Sequence, residues 1–200
     1  MAPPGLSRSG AVQAMIYDDQ DEDGQLGEGD VPIEEAGFIV AQTLRSETSD
    51  ASGRVIFGDL QPGAPANLEL KLSTLEDPFL RPVRNGVTVT PRAGRITQIE
   101  VPLTATADLD GTVSILKGDV KTAVSGVIVE AVDLDGRLLG TTKTEYDGYF
   151  YLDNIPAQPL RLQISKATLA EVNAEMPPID VALSRETPSL SGLELDIIRK

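Results

Sequence analysis

Between Asp18 and Asp30 the chain reads DDQDEDGQLGEGD, and seven of these thirteen residues are acidic. Carboxylates this close together repel one another, and either water or a cation has to offset that repulsion. With Asp19 as position 1, Asp21 falls at position 3, Asp23 at 5, Gly24 at 6, Gln25 at 7, Gly27 at 9 and Asp30 at 12. This is the ligand spacing of an EF-hand-type loop, including the glycine that makes its sharp turn. Alternate residues of a tightly turned loop aim their oxygens at one centre, and Ca²⁺ takes about six to eight of them. The spacing therefore nominates Asp19, Asp21, Asp23, Gln25 and Asp30 as ligands of a bound calcium ion, with Gln25 acting through its backbone carbonyl. Two departures are visible. Position 12 is Asp30 where an EF-hand carries a bidentate Glu, and the flanks Val12–Tyr17 and Val31-Pro32-Ile33 read as strands, not helices. Asp18 and Glu28 read as outer-shell or solvent-facing groups. The same stretch also reads as a solvated acidic turn, and the sequence leaves both readings open.

Composition narrows the chemistry further. The 200 residues contain no His and no Cys. That excludes disulfides, thiolate nucleophiles and Ser–His–Asp or Cys–His catalysis. It also removes the commonest transition-metal ligands, so a metal here has to be held by oxygen, as Ca²⁺ or Mg²⁺ are. The formal charge of −14 disfavours nucleic acid and anionic membrane surfaces as partners. Ser–Lys or paired-carboxylate hydrolysis stays formally open, but no motif positions such a pair, and the chain reads as non-catalytic. No stretch offers the roughly 18 apolar residues of a membrane-spanning helix. Residues 1–10 read as a flexible leader without the apolar centre of an intact signal peptide.

The elements that would hold the acidic loop are β-strands. Short β-rich runs recur between Gly, Pro, Asp and Asn clusters, as in β-sandwiches. Strands are expected at 12–17, 37–43, 54–57, 66–72, 86–90 and 95–103. A second set is expected at 111–116, 126–132, 138–144, 149–152, 160–164, 179–183 and 193–198. Residues 166–174 read equally as one or two helical turns or as a loop. One pattern is used twice: a turn, a strand and a Pro-bearing turn from Ser52 to Pro62 return from Tyr146 to Pro156, each after a Thr-bearing strand ending near Thr48 or Thr144. The expectation is an all-β chain of two tandem immunoglobulin-like/prealbumin-like β-sandwiches, spanning 11–105 and 106–200, with a seam near Thr104–Asp108. DLDG occurs twice: at 133–136 it reads as a hairpin turn, and at 108–111 as the start of a strand after the seam, with a second calcium there as a further reading. Alternation puts Phe150 on the core face and Tyr149 and Tyr151 on the other, where they cover a sheet or stack on a sugar.

Residues 11–72 resemble a known family. Ile16-Tyr17-Asp18-Asp19-x-Asp21-x-Asp23-Gly24, then Asp30-x-Pro32-Ile33 and Gly37-Phe38-Ile39-Val40, look like the SdrD B-like module, the B-type repeat of bacterial surface adhesins. The resemblance implies an immunoglobulin-like stalk segment whose acidic loop binds calcium. From Gly111 to Leu162 the chain resembles the carboxypeptidase regulatory-like domain, a prealbumin-like sandwich. Gly126-Val127-x-Val129, Asp135-Gly136, Thr142-x-Thr144, Asp147-Gly148-Tyr149-Phe150 and Ile155-Pro156 carry this likeness. That resemblance implies a module without catalytic residues.

The resulting expectation is a structural stalk, spacer or adhesion segment of a larger exported bacterial surface protein, stiffened by calcium and monomeric within its chain. Its location would be extracellular, at the cell surface or periplasmic. A glycan- or protein-binding module is the first alternative. An accessory domain of an enzyme or of an outer-membrane assembly protein is the second.

Overall fold

A computed structural model describes residues 8–118 and 120–199. The leader expected over residues 1–10 lies outside the described residues up to residue 7, and Gly10 already belongs to the first strand. The chain divides into two compact units, one ending at Thr104 and the other beginning at Ala105.

In the first unit the strands are β1 (Gly10–Asp18), β2 (Val31–Pro32), β3 (Gly37–Val40), β4 (Arg45–Thr48), β5 (Arg54–Leu60), β6 (Ala66–Leu70), β7 (Leu80–Pro82) and β8 (Val87–Val89), followed by the first part of β9 (Ile96–Lys117). β1 pairs antiparallel with β5 and β2, and parallel with β9. β7 pairs with β9. The facing sheet runs β4-β3-β6-β8. Alternate residues of β1, Val12, Ala14 and Ile16, meet Phe38, Val40 and Leu68 of the facing sheet in a core that includes Phe57, Val101 and Leu103.

The second unit is built the same way from the rest of β9, then β10 (Val120–Ala123), β11 (Ile128–Val132), β12 (Leu138–Lys143), β13 (Tyr149–Pro156), β14 (Leu160–Ile164), β15 (Ala174–Glu175), β16 (Ile179–Val181) and β17 (Ser189–Arg199). β9 pairs antiparallel with β13 and β10 and parallel with β17, and the facing sheet runs β12-β11-β14-β16. Residues 166–174, left open between helix and loop, form the helix α1 (Lys166–Glu171), whose first turn is capped by the Ser165 hydroxyl accepting from the Thr168 amide. Among the described residues, both units are all-β apart from α1 and a 3₁₀ turn at Leu72–Thr74.

The repetition extends to individual hydrogen bonds. The Ser49 hydroxyl accepts from the Ala36 amide at 2.9 Å and donates to the Ile33 carbonyl at 2.7 Å. The Thr144 hydroxyl accepts from the Val127 amide at 2.9 Å and donates to the Val124 carbonyl at 2.7 Å. The amide of Ile16 donates to Gly53, and that of Val113 to Gly148. Both glycines have left-handed backbones, with φ of 73° and 81°, and each lies so close to the carbonyl of its partner strand that a Cβ would sit 2.3 and 2.5 Å from that oxygen. Removing the Ser49 hydroxyl leaves a buried amide and carbonyl without this bridge. Ser49→Ala is therefore expected to destabilise the first unit by about 1–3 kcal/mol, measured by urea unfolding.

One expectation is corrected. The stretch Asp108-Leu109-Asp110-Gly111, read as the start of a strand, lies inside β9, which runs from Ile96 to Lys117. Its side chains bond to other segments and not to a turn of their own. Asp108 accepts from the Tyr151 hydroxyl and the Asn154 amide, and Asp110 accepts from the Gly192 amide.

Candidate metal centre

The acidic loop is closed at its base by a two-residue ladder, in which Tyr17 lies opposite Pro32 and Asp18 opposite Val31. Asp19 follows directly, and its amide donates to the Leu103 carbonyl of β9 at 2.9 Å. The first proposed ligand is thus fixed to the end of a parallel strand pair. It is also 1% exposed, which is rare for a carboxylate unless hydrogen bonds or a cation compensate its charge. Its Oδ2 accepts from the Gly24 amide at 2.8 Å, pulling position 6 of the loop back over position 1. Gly24 has φ of 76°, so the sharp turn falls where the spacing demands a glycine.

Further side chain to backbone bonds shape the turn. Asp21 Oδ1 accepts from the Asp23 amide at 3.3 Å, and Asp23 Oδ1 from the Gln25 amide at 2.7 Å. Glu22, between them, takes the left-handed conformation with φ of 58°, and its carboxylate accepts from the Thr104 hydroxyl. The outcome is that carboxylate oxygens of Asp19, Asp21 and Asp23 lie within 4.8 Å of one another. Asp19 is buried at the floor of this group, while Asp21 and Asp23 are exposed at its rim. Asp23 and Gly24 also line an open cleft of 520 Å³, together with Arg84 and Glu100.

The remaining nominated residues are placed differently. Asp30 spans the loop: its Oδ1 accepts from the Gln20 amide at 2.9 Å and its Oδ2 from the Gly27 amide at 2.7 Å. It closes the loop through backbone amides and keeps two further lone-pair positions. Gln25 is placed by its own amide bond to Asp23. Asp18 accepts from the Gln20 side chain.

Sequence reasoning passed over one residue of this site. Tyr17 is fully buried, and burial together with the charges of Glu100, Asp19, Asp30 and Asp23 pushes its phenol up to about 12. The available signal was the strand period, which puts Tyr17 on the same side of the chain as Asp19 and opposite Ile16.

The second unit contains the same connection without the loop. There β9 continues to Lys117, and β10 returns antiparallel beside it from Val120. The equivalent connection of the second unit is therefore much shorter and carries no such acidic run.

The other constellations resolve into ordinary structure. Phe150 is 1% exposed and in the core, whereas Tyr149 and Tyr151 lie on the opposite face, with the Tyr151 hydroxyl held by Asp108 at 2.6 Å. Among the described residues no helix is long and apolar enough to cross a membrane.

No protein-family description matches the chain, and no curated protein matches it. Solved structures similar to it include the minor pilin GBS52 of Streptococcus agalactiae, at 12% identity and TM-score 0.43 over 96% of this chain and 97% of that one. The TIE protein of Bacillus anthracis is similar at 12% identity and TM-score 0.40, over 96% of this chain and 34% of that one, so the chain spans about a third of that relative's length. BcpA, the major pilin subunit of Bacillus cereus, is similar at 9% identity and TM-score 0.38, over 96% of this chain and 100% of that one.

Proposed function

We propose that the first unit binds a calcium ion in the loop from Asp19 to Asp30, and that the chain is a non-catalytic structural segment, a stalk, spacer or adhesion module, of a larger exported surface protein. The observation that carries the metal reading is the convergence of Asp19, Asp21 and Asp23 within 4.8 Å on a loop that the equivalent connection of the second unit does without. Asp19, Asp21 and Asp23 supply carboxylate oxygens, Gln25 a backbone carbonyl and Asp30 a carboxylate at the loop's end. Water completes a shell of about six to eight oxygens.

The proposed mechanism is rigidification. The ion ties the rim of the loop to Asp19, which is anchored on β9 through Leu103. It also cancels the mutual repulsion of the carboxylates. A cation that binds only the folded state stabilises it by about 2.7 kcal/mol at a hundredfold excess over Kd. Extracellular calcium is typically millimolar, so even a site with Kd of about 10⁻⁴ M would fill there. The structural role has further support in the composition, which lacks the His and Cys of common catalytic sites, and in two sandwiches built to one plan.

Calorimetric titration of the calcium-free chain with CaCl₂ tests the reading. One site per chain is expected, lost in the double variant Asp21→Ala, Asp23→Ala. Absence of binding by the unmodified chain would contradict it.

A further inference from the structure

On β1, Val12, Ala14 and Ile16 point into the core of the first unit. Tyr17 therefore points to the other face, the side on which Asp19 also lies. A tyrosine there has no place in the sandwich interior, yet it is 0% exposed. Its hydroxyl is buried without a hydrogen-bond partner among the described residues. The charges it meets are those of Glu100, Asp19, Asp30 and Asp23, three of them from the acidic loop. Buried polar atoms of native proteins are satisfied in the great majority of cases, and each exception calls for a reason. A phenol donates one hydrogen bond and accepts others, whereas the surrounding carboxylates only accept. A group able to satisfy both sides of the phenol is a water molecule, and a hydrated divalent cation brings one.

We propose that Tyr17 is a positioning residue of the cation site, its hydroxyl set to hold a water molecule of the ion bound at Asp19, Asp21 and Asp23. The proposal rests on the calcium reading of the loop and deepens it. The site gains a neutral oxygen two residues before the first ligand, at the end of β1, which orients the ion's water without adding charge. Such outer partners orient the ligand shell, and their loss typically weakens metal binding by about 10–100-fold.

The test compares the unmodified chain with Tyr17→Phe, which keeps the ring and removes only the hydroxyl. Each is titrated with CaCl₂ by calorimetry and melted in EGTA. The variant is expected to bind calcium about tenfold more weakly. Its EGTA melting midpoint should equal or exceed that of the unmodified chain, because a buried hydroxyl without a partner has gone. Equal calcium affinity in the two proteins would overturn the role of Tyr17 while leaving the loop's reading intact. A lowered midpoint in EGTA would overturn it too, because the hydroxyl would then support the fold with no cation present. An unmodified chain that binds no calcium would overturn the reading of the loop and this proposal with it.

Discussion

Truncating Phe150 to alanine is expected to destabilise the second unit by about 3–5 kcal/mol, seen as a lower urea midpoint at an unchanged slope. The ring is 1% exposed and belongs to a core with Val129, Leu160, Leu162 and Leu195. It sits at the start of β13, opposite Gly111 of β9. Its removal opens a cavity between two sheets whose other residues are held in register by backbone ladders, so the site has little freedom to collapse. The neighbours provide the control. Tyr149 and Tyr151 stand on the outer face at 39% and 46% exposure, and alanine at Tyr149 should cost far less. A larger cost at Tyr149 than at Phe150 would mean that β13 presents its other face to the core, since a one-residue slip exchanges the two faces of a strand.

Gly111→Ala is the second large effect expected, at about 3 kcal/mol. A Cβ at this position would lie 2.3 Å from the Leu193 carbonyl oxygen and 2.8 Å from both Leu193 Cβ and Phe150 Cε1. The first obstacle is backbone of a paired strand, which cannot rotate aside, and the third is a ring already fixed in the core. The methyl group therefore has to push β17 away from β9 or tilt Phe150. A thermal melt of the variant checks this, with a loss of several degrees expected. A midpoint equal to that of the unmodified chain would show that β9 and β17 are not in such close approach.

Gly111 also shows where the sequence ceased to be informative. DLDG occurs at 108–111 and at 133–136. In the second copy Asp133 Oδ1 accepts from the amides of Asp135 and Arg137, and Gly136 has φ of 87°, which is the hairpin that the tetrapeptide advertises. In the first copy the same residues are extended inside β9, and their carboxylates bond to Tyr151, Asn154 and Gly192. The local chemistry of the two copies is identical, and distant partners decide between them. Short strands such as β4, with RSET, and β7, with LRP, were unreadable for a similar reason: their order comes from the strands beside them, not from an apolar pattern of their own. By contrast, the alternation of β13 and β14 was plain, because one face of each is buried, and the all-β architecture followed from such runs.

At the acidic loop, spacing alone located the residues that converge. Asp19, Asp21 and Asp23 come together because Asp-to-amide bonds and a left-handed Gly24 are local devices written in the sequence. The bracing of Asp30 across the loop and the burial of Tyr17 depend on how the loop folds back on the sheet, which spacing does not encode.

The most direct measurement is a thermal melt in EGTA and again in millimolar calcium, made on the unmodified chain and on the double variant Asp21→Ala, Asp23→Ala. If calcium stiffens the first unit through this loop, the ion raises the midpoint of the unmodified chain by about 10 °C at a hundredfold excess over Kd, and the variant does not respond. Midpoints that coincide with and without calcium in the unmodified chain would contradict the account and return residues 18–30 to a solvated acidic turn on an otherwise unchanged β-sandwich.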